Sequence, residues 1–157
     1  MSIQTNSGVV SNKKIGWGIK RNENHQQPDL GAVNKQRIEE NNDIAMGNPG
    51  DKVIYLTFDN GYEAGYTPKI LDVLKENNVK AAFFITGHYL NKETTLVKRM
   101  IDDGHILGNH TVNHYSMPDI DDTKLKSEIK NLHTAVFEKT GFERVLAVDR
   151  RRTEGFE

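Results

Sequence analysis

Cysteine is absent from the 157 residues. That excludes a disulfide framework, a thiolate metal site and a cysteine nucleophile, but it leaves the compartment open. Neither charge is in excess, since 21 Lys and Arg face 22 Asp and Glu. A chain so balanced has no global field to draw nucleic acid or an anionic membrane surface. Arg150, Arg151 and Arg152 stand without interleaved aromatics or a basic helix, so no nucleic-acid partner is expected. No apolar run approaches the roughly 18 to 20 residues that span a bilayer. The opening MSIQTNSGVVSNKKIGW also lacks the continuous apolar segment of a secretory signal. As written, the chain is therefore expected in the cytoplasm, with no transmembrane segment. Walker-type phosphate loops and a Gly-x-Ser-x-Gly nucleophile elbow are missing as well.

What is present begins after residue 50. Residues 1–50 are polar, rich in Asn and Gln and without a sustained apolar period, and they read as an extension anchored by Trp17 and Ile19. VIYLTF, from Val53, predicts a largely buried strand ending at Phe58. Thr67-Pro68 reads as an N-cap and first helical residue, with Ile70, Leu71, Val73 and Leu74 as the buried stripe and Asn77-Asn78 as the stop. A strand over 80–87, a helix from Glu93 to Asp103 closed by Gly104, and a strand over 105–109 follow. Leu125, Ile129, Leu132 and Val136 then predict a helix over Thr123 to Lys139, closed by Gly141, with a fourth strand over 144–148. Strands alternating with helices imply βαβ units, a mainly parallel sheet, and chemistry at the carboxyl ends of the strands.

Two polar groups fall at that edge. HTVNH, His110 to His114, sets two imidazoles four positions apart. They share a face if the segment is helical, and they also converge in a tight loop after a strand. Imidazole nitrogens suit Zn²⁺, Fe²⁺ or Co²⁺, although surface histidines explain the spacing equally well. Asp59 leaves the first strand's end, placed to ligate a metal or take a proton from water, and Asn60 offers an amide oxygen as a weak neutral ligand. An Asx turn with Gly61 at the bend explains the same two residues. His88 reads as a cleft or turn residue, His105 as structural and His133 as exposed. Tyr62, Glu63 and Tyr66 read as substrate contacts or loop anchors.

Together, VIYLTFDNGYEAGYTPKILDVLKENNVKAAFFITGHYL and HTVNH resemble the polysaccharide deacetylases over about residues 52–143. The likeness is greatest to the branch that removes the N-acetyl group from muramic acid in spore-cortex δ-lactam formation. The resemblance implies an α/β fold, the first half of a distorted (β/α) barrel. Its partial domain would cover residues 51–149, between the 1–50 extension and an atypical tail over 150–157.

The implied activity is metal-dependent hydrolysis of N-acetyl groups from cell-wall polysaccharide, namely N-acetylmuramic acid of peptidoglycan. Peptidoglycan or a related N-acetylated glycan would be the partner, and a divalent metal ion, zinc, the cofactor. Carried over residue by residue, Asp59 is the catalytic base and His110 and His114 are metal ligands. Asn60 stands at the place of the usual metal-binding acid, as in the spore-cortex branch, and the backbone N–H of Tyr62 becomes an oxyanion donor. An intact family member is expected outside the cytoplasm, at the cell wall.

The departure comes at FERVLAVDRRRTEGFE, where the family has an Arg-Pro-Pro-Arg-Gly motif that orients the base and, later, a leucine-histidine motif bearing the general acid. That departure implies a chain cut short or shifted in frame. A glycan-binding or metal-binding remnant without turnover is the alternative function.

Overall fold

The computed structural model describes residues 18–40 and 45–146. Trp17, Arg150–Arg152 and the last residues of the expected fourth strand lie outside them. Three strands, β1 (Thr57–Asn60), β2 (Ala82–Ile85) and β3 (Ile106–Asn109), pair in parallel in the order β1-β2-β3. Their register aligns Asn60 with Ile85 and Ile85 with Asn109, so the three strands end level. Helices α2 (Thr67–Glu76), α3 (Gly87–Lys92), α4 (Thr94–Asp102) and α5 (Asp122–Thr140) connect and flank them, making an α/β fold with a parallel sheet. A further helix, α1 (Ala32–Glu40), forms inside the polar stretch before residue 50, with only Asn34 buried along it.

The core lies between the sheet and the helices. Phe83, Ile85 and Leu107 point into it from the strands and meet Leu71, Leu90, Val97, Met100, Leu132 and Val136 from the helices. Each such side chain contributes about 1.5–3 kcal/mol on full burial. Phe58 stacks on Phe83 at 4.9 Å on the same face. Phe84 projects to the opposite face by the alternation of a strand. It lies over Gly108, where the space a Cβ would need is filled by the Phe84 ring.

Several expectations are corrected. The apolar run Val53–Leu56 is not a buried strand: β1 starts at Thr57, and Ile54 and Tyr55 are 85% and 79% exposed. β1 has β2 on one side and, among the described residues, no strand on the other, so none of the described strands flanks the run on that side. Val73 is exposed, because α2 turns only Leu71 and Leu74 fully inward. Thr67 is the first helical residue and not the cap; its N–H donates to the Glu63 carboxylate at 3.1 Å. The β2 strand stops at Ile85, and α3, absent from the periodicity reading, begins at Gly87.

The other boundaries hold within a residue or two. Gly104 and Gly141 take left-handed φ values of 76° and 73° just past their helices, where glycine costs no Cβ clash. Of the expected fourth strand, Leu146 makes a single parallel bridge to Gly108.

Candidate active site

Because the strands are parallel and end level, their three exit loops meet at one edge. An open cleft of about 680 Å³ lies there, lined by Asp59 and Gly61 at the end of β1, Thr86, Gly87 and His88 after β2, and His110 and His114 after β3. Asp59, His110 and His114 are thus brought to one cleft from separate strand ends. Asn60 is half-buried and does not line it; its Oδ1 is buried and has no hydrogen-bond partner. Tyr62 is largely exposed on the loop that follows.

The histidine segment is a tight loop and not a helical turn. Thr111 and His114 both adopt left-handed backbone, at φ 64° and 58°. For a β-branched residue such as Thr111 this region costs about 1–3 kcal/mol, so the surroundings must hold it. They do so with backbone and side-chain bonds. Asn109 Oδ1 accepts from the Thr111 N–H at 2.9 Å, and Thr111 Oγ1 accepts from the His114 N–H at 3.0 Å. The Gly87 N–H donates to the carbonyls of Thr111 and Val112. A Cβ at Gly87 would come within 2.9 Å of Val112, so only glycine lets the loop settle on the start of α3. The outcome is convergence: His110 Nε2 and His114 Nε2 are 3.1 Å apart.

From α5, Glu128 reaches the middle of the same loop. Its two oxygens accept from the backbone N–H and the side-chain Nδ2 of Asn113, both at 2.7 Å. Lys124 Nζ stands 3.4 Å from Oε1. Burial pushes the Glu128 carboxyl up, but the Asn113 and Lys124 donors outweigh it and hold its pKa below the ordinary 4.5. Sequence reasoning missed Glu128. The available signal was a charged residue at a buried stripe position, three after Leu125 and four before Leu132.

The loop after β1 is anchored on its far side. Glu63 accepts from the Thr67 N–H and from the Tyr89 hydroxyl at 3.0 Å. Thr86 caps α3 by accepting from the Tyr89 N–H and donates its hydroxyl to the Gly61 carbonyl. Burial pushes the Tyr89 hydroxyl up to about 12, so it remains a neutral donor. No cation or hydrogen-bond donor fixes the Asp59 carboxylate among the described residues.

His88 is exposed and lines the cleft. His105 is structural: it is buried, and its Nδ1 accepts from the Ala81 N–H. His133 is exposed, as expected. No group of three or more His, Asp or Glu side chains converges among the described residues. No helix among them is long and apolar enough to cross a membrane.

Residues 46–147 match the family described as polysaccharide deacetylase. The peptidoglycan-N-acetylmuramic acid deacetylase PdaA of Bacillus subtilis is 46% identical over 133 residues, covering 85% of this chain and 51% of that protein. An uncharacterized 30.6 kDa protein of Geobacillus stearothermophilus is 50% identical over 137 residues, covering 87% of this chain and 52% of that one. Among solved structures, Bacillus subtilis PdaA, a family 4 carbohydrate esterase, superposes with a TM-score of 0.83 at 43% identity, over 88% of this chain and 59% of that one. A family 4 carbohydrate esterase from Bacillus anthracis gives 0.79 at 40% identity, over 90% and 63%. The chain spans about half the length of the curated relatives it matches. The match runs through all three strand ends that build the cleft, and the chain belongs to the polysaccharide deacetylase family.

Proposed function

We propose that the chain carries the β1 to β3 portion of a metal-dependent de-N-acetylase site acting on N-acetylmuramic acid of peptidoglycan, within the first half of a distorted (β/α) barrel. The observation that carries this reading is that Asp59, His110 and His114 line one cleft at the carboxyl edge of the sheet. The similarity to PdaA, named for N-acetylmuramic acid in peptidoglycan, supports the substrate and the spore-cortex branch. Residues 51–149 are the catalytic portion in this reading, and residues 1–50 an extension before it. Its working place is the cell wall, outside the cytoplasm, where the glycan is.

The donors present fit a divalent ion by their chemistry. Two imidazole nitrogens lie 3.1 Å apart, and the Asn60 amide oxygen is buried without a partner. His110 and His114 would hold the ion, and a pair of neutral imidazoles suits zinc; Asn60 does not line the cleft, and it joins them as a ligand on the family motif and its unpartnered amide oxygen. When bound, a divalent ion supplies Lewis acidity that polarises an acetamide carbonyl and eases deprotonation of water.

Asp59 takes the proton from the water as its oxygen adds to the acetamide carbon. The Tyr62 backbone N–H donates to the developing oxyanion. The C–N bond then breaks, the nitrogen takes up a proton, and acetate leaves a free amine on the sugar.

A second reading, a metal-binding or glycan-binding remnant without turnover, is favoured by one observation. The Asp59 carboxylate has no orienting partner among the described residues. One experiment separates the two: incubate the chain with zinc and N-acetylated peptidoglycan and measure released acetate. Turnover lost in Asp59→Ala supports the enzyme. Zinc binding that depends on His110 and His114, without acetate, supports the remnant. Absence of both sinks the metal-site reading altogether.

A further inference from the structure

We propose that Glu128 is a positioning residue for the histidine pair, holding the His110–His114 loop from α5 so that both imidazoles face one point. This rests on the metal-site reading above and adds to it a group that touches neither metal nor substrate.

The loop needs such a hold. Two of its residues, Thr111 and His114, have left-handed backbone, and Asn113 lies between them. The Asn113 N–H and Nδ2 both point at Glu128, and both are donors. Two donors, with Lys124 as a third, demand two acceptor oxygens on one side chain, and a carboxylate is the group that supplies them.

Glu128 is 3% exposed, within a helix whose neighbouring Leu132 is fully buried. A charge in that position is costly unless it is bonded, and its bonds go to the segment that bears the two histidines. Asn109 makes a second tie to the same helix, donating Nδ2 to the Ile129 carbonyl at 2.8 Å. The loop is therefore fastened to α5 on both sides of His110. An inward helix packing would be served as well by leucine at 128; the pairing with Asn113 is what leucine could not supply.

The substitution Glu128→Leu keeps an inward-packing side chain but offers no acceptor to either Asn113 donor. In the full 157-residue chain it should weaken zinc affinity about tenfold, the lower end of what losing an outer partner of a metal ligand costs. Amide hydrogen exchange at Asn113 and His114 should quicken by a similar factor, with Ile85 and Leu107 in the sheet unchanged. Glu128→Gln is the conservative rescue: its Oε1 accepts from the Asn113 backbone N–H, and its Nε2 donates to Asn113 Oδ1 once the exposed Asn113 amide turns over. Slow exchange at 113 should return in Glu128→Gln, which a role in packing alone, served as well by leucine, would not produce.

Unchanged exchange in Glu128→Leu would overturn the proposal. So would faster exchange throughout the sheet, or a Glu128→Gln variant that exchanges no more slowly at 113 than Glu128→Leu. Wild-type chain that binds no zinc would overturn the metal reading separately, and exchange at 113 and 114 would still decide whether Glu128 positions the loop.

Discussion

His110 and His114 present their Nε2 atoms to each other at 3.1 Å, with ring centroids 4.7 Å apart and planes tilted by 49°. Two nitrogens so close share one point of approach, which is the arrangement a bridging cation would use in place of the shared hydrogen bond. His110→Ala and His114→Ala should each lower zinc affinity about a hundredfold or more, beyond the loss typical of outer partners. Calorimetric titration checks this, and wild-type affinity in either variant would remove the pair from the site.

Asp59 lies at the same cleft without being one of the nitrogen donors, so its removal should separate chemistry from metal binding. Asp59→Asn should retain zinc and lower acetate release about 10²–10⁴-fold, the usual range for a lost general base. Equal loss of zinc and activity would make Asp59 a ligand and not the proton acceptor.

Glu63 ties the loop after β1 to two helices, and its pKa gives that tie a pH dependence. Burial pushes its carboxyl up, while the bonds from Thr67 and Tyr89 outweigh burial and hold it below the ordinary 4.5. A carboxylate with a depressed folded pKa contributes stability that is full above the unfolded value and lost as pH falls through the folded one. Glu63→Gln should therefore cost about 1 kcal/mol at pH 7. The gap to wild type should close as pH drops below about 4. Urea melts across that window test it; a gap independent of pH would mean the charge contributes nothing.

Gly108 gives way to the Phe84 ring on the face of the sheet opposite Phe83 and Leu107. Phe84 is itself buried and has little room to retreat. Gly108→Ala should cost about 1–3 kcal/mol through overpacking, seen as a lower thermal midpoint. Combining it with Phe84→Leu should return part of the loss, and no recovery would point to backbone strain instead.

Periodicity was a sound guide wherever burial is settled by an element's own pattern. The stripe Leu125, Ile129, Leu132 and Val136 named α5 within a residue at each end, and Gly141 marked its stop. It failed where burial depends on a neighbour. Val53–Leu56 has the composition of a buried strand, yet burial of a strand needs elements on both faces, and none of the described residues covers this run. The short α3 escaped notice because six residues capped by Thr86 show too little of a 3.6-residue period.

The residue types at the strand ends follow from the chain alone: an acid and an amide after one apolar run, two imidazoles four positions apart after another, and the family motifs they form. Their chemistry is local and needs no fold to be read. Convergence is different. That Asp59 and the histidines share a cleft depends on parallel strands ending level, and that the imidazoles meet depends on left-handed turns at Thr111 and His114. Those turns are held by Glu128, 15 residues beyond Asn113 in the chain, through hydrogen bonds that exist only once α5 has packed on the sheet.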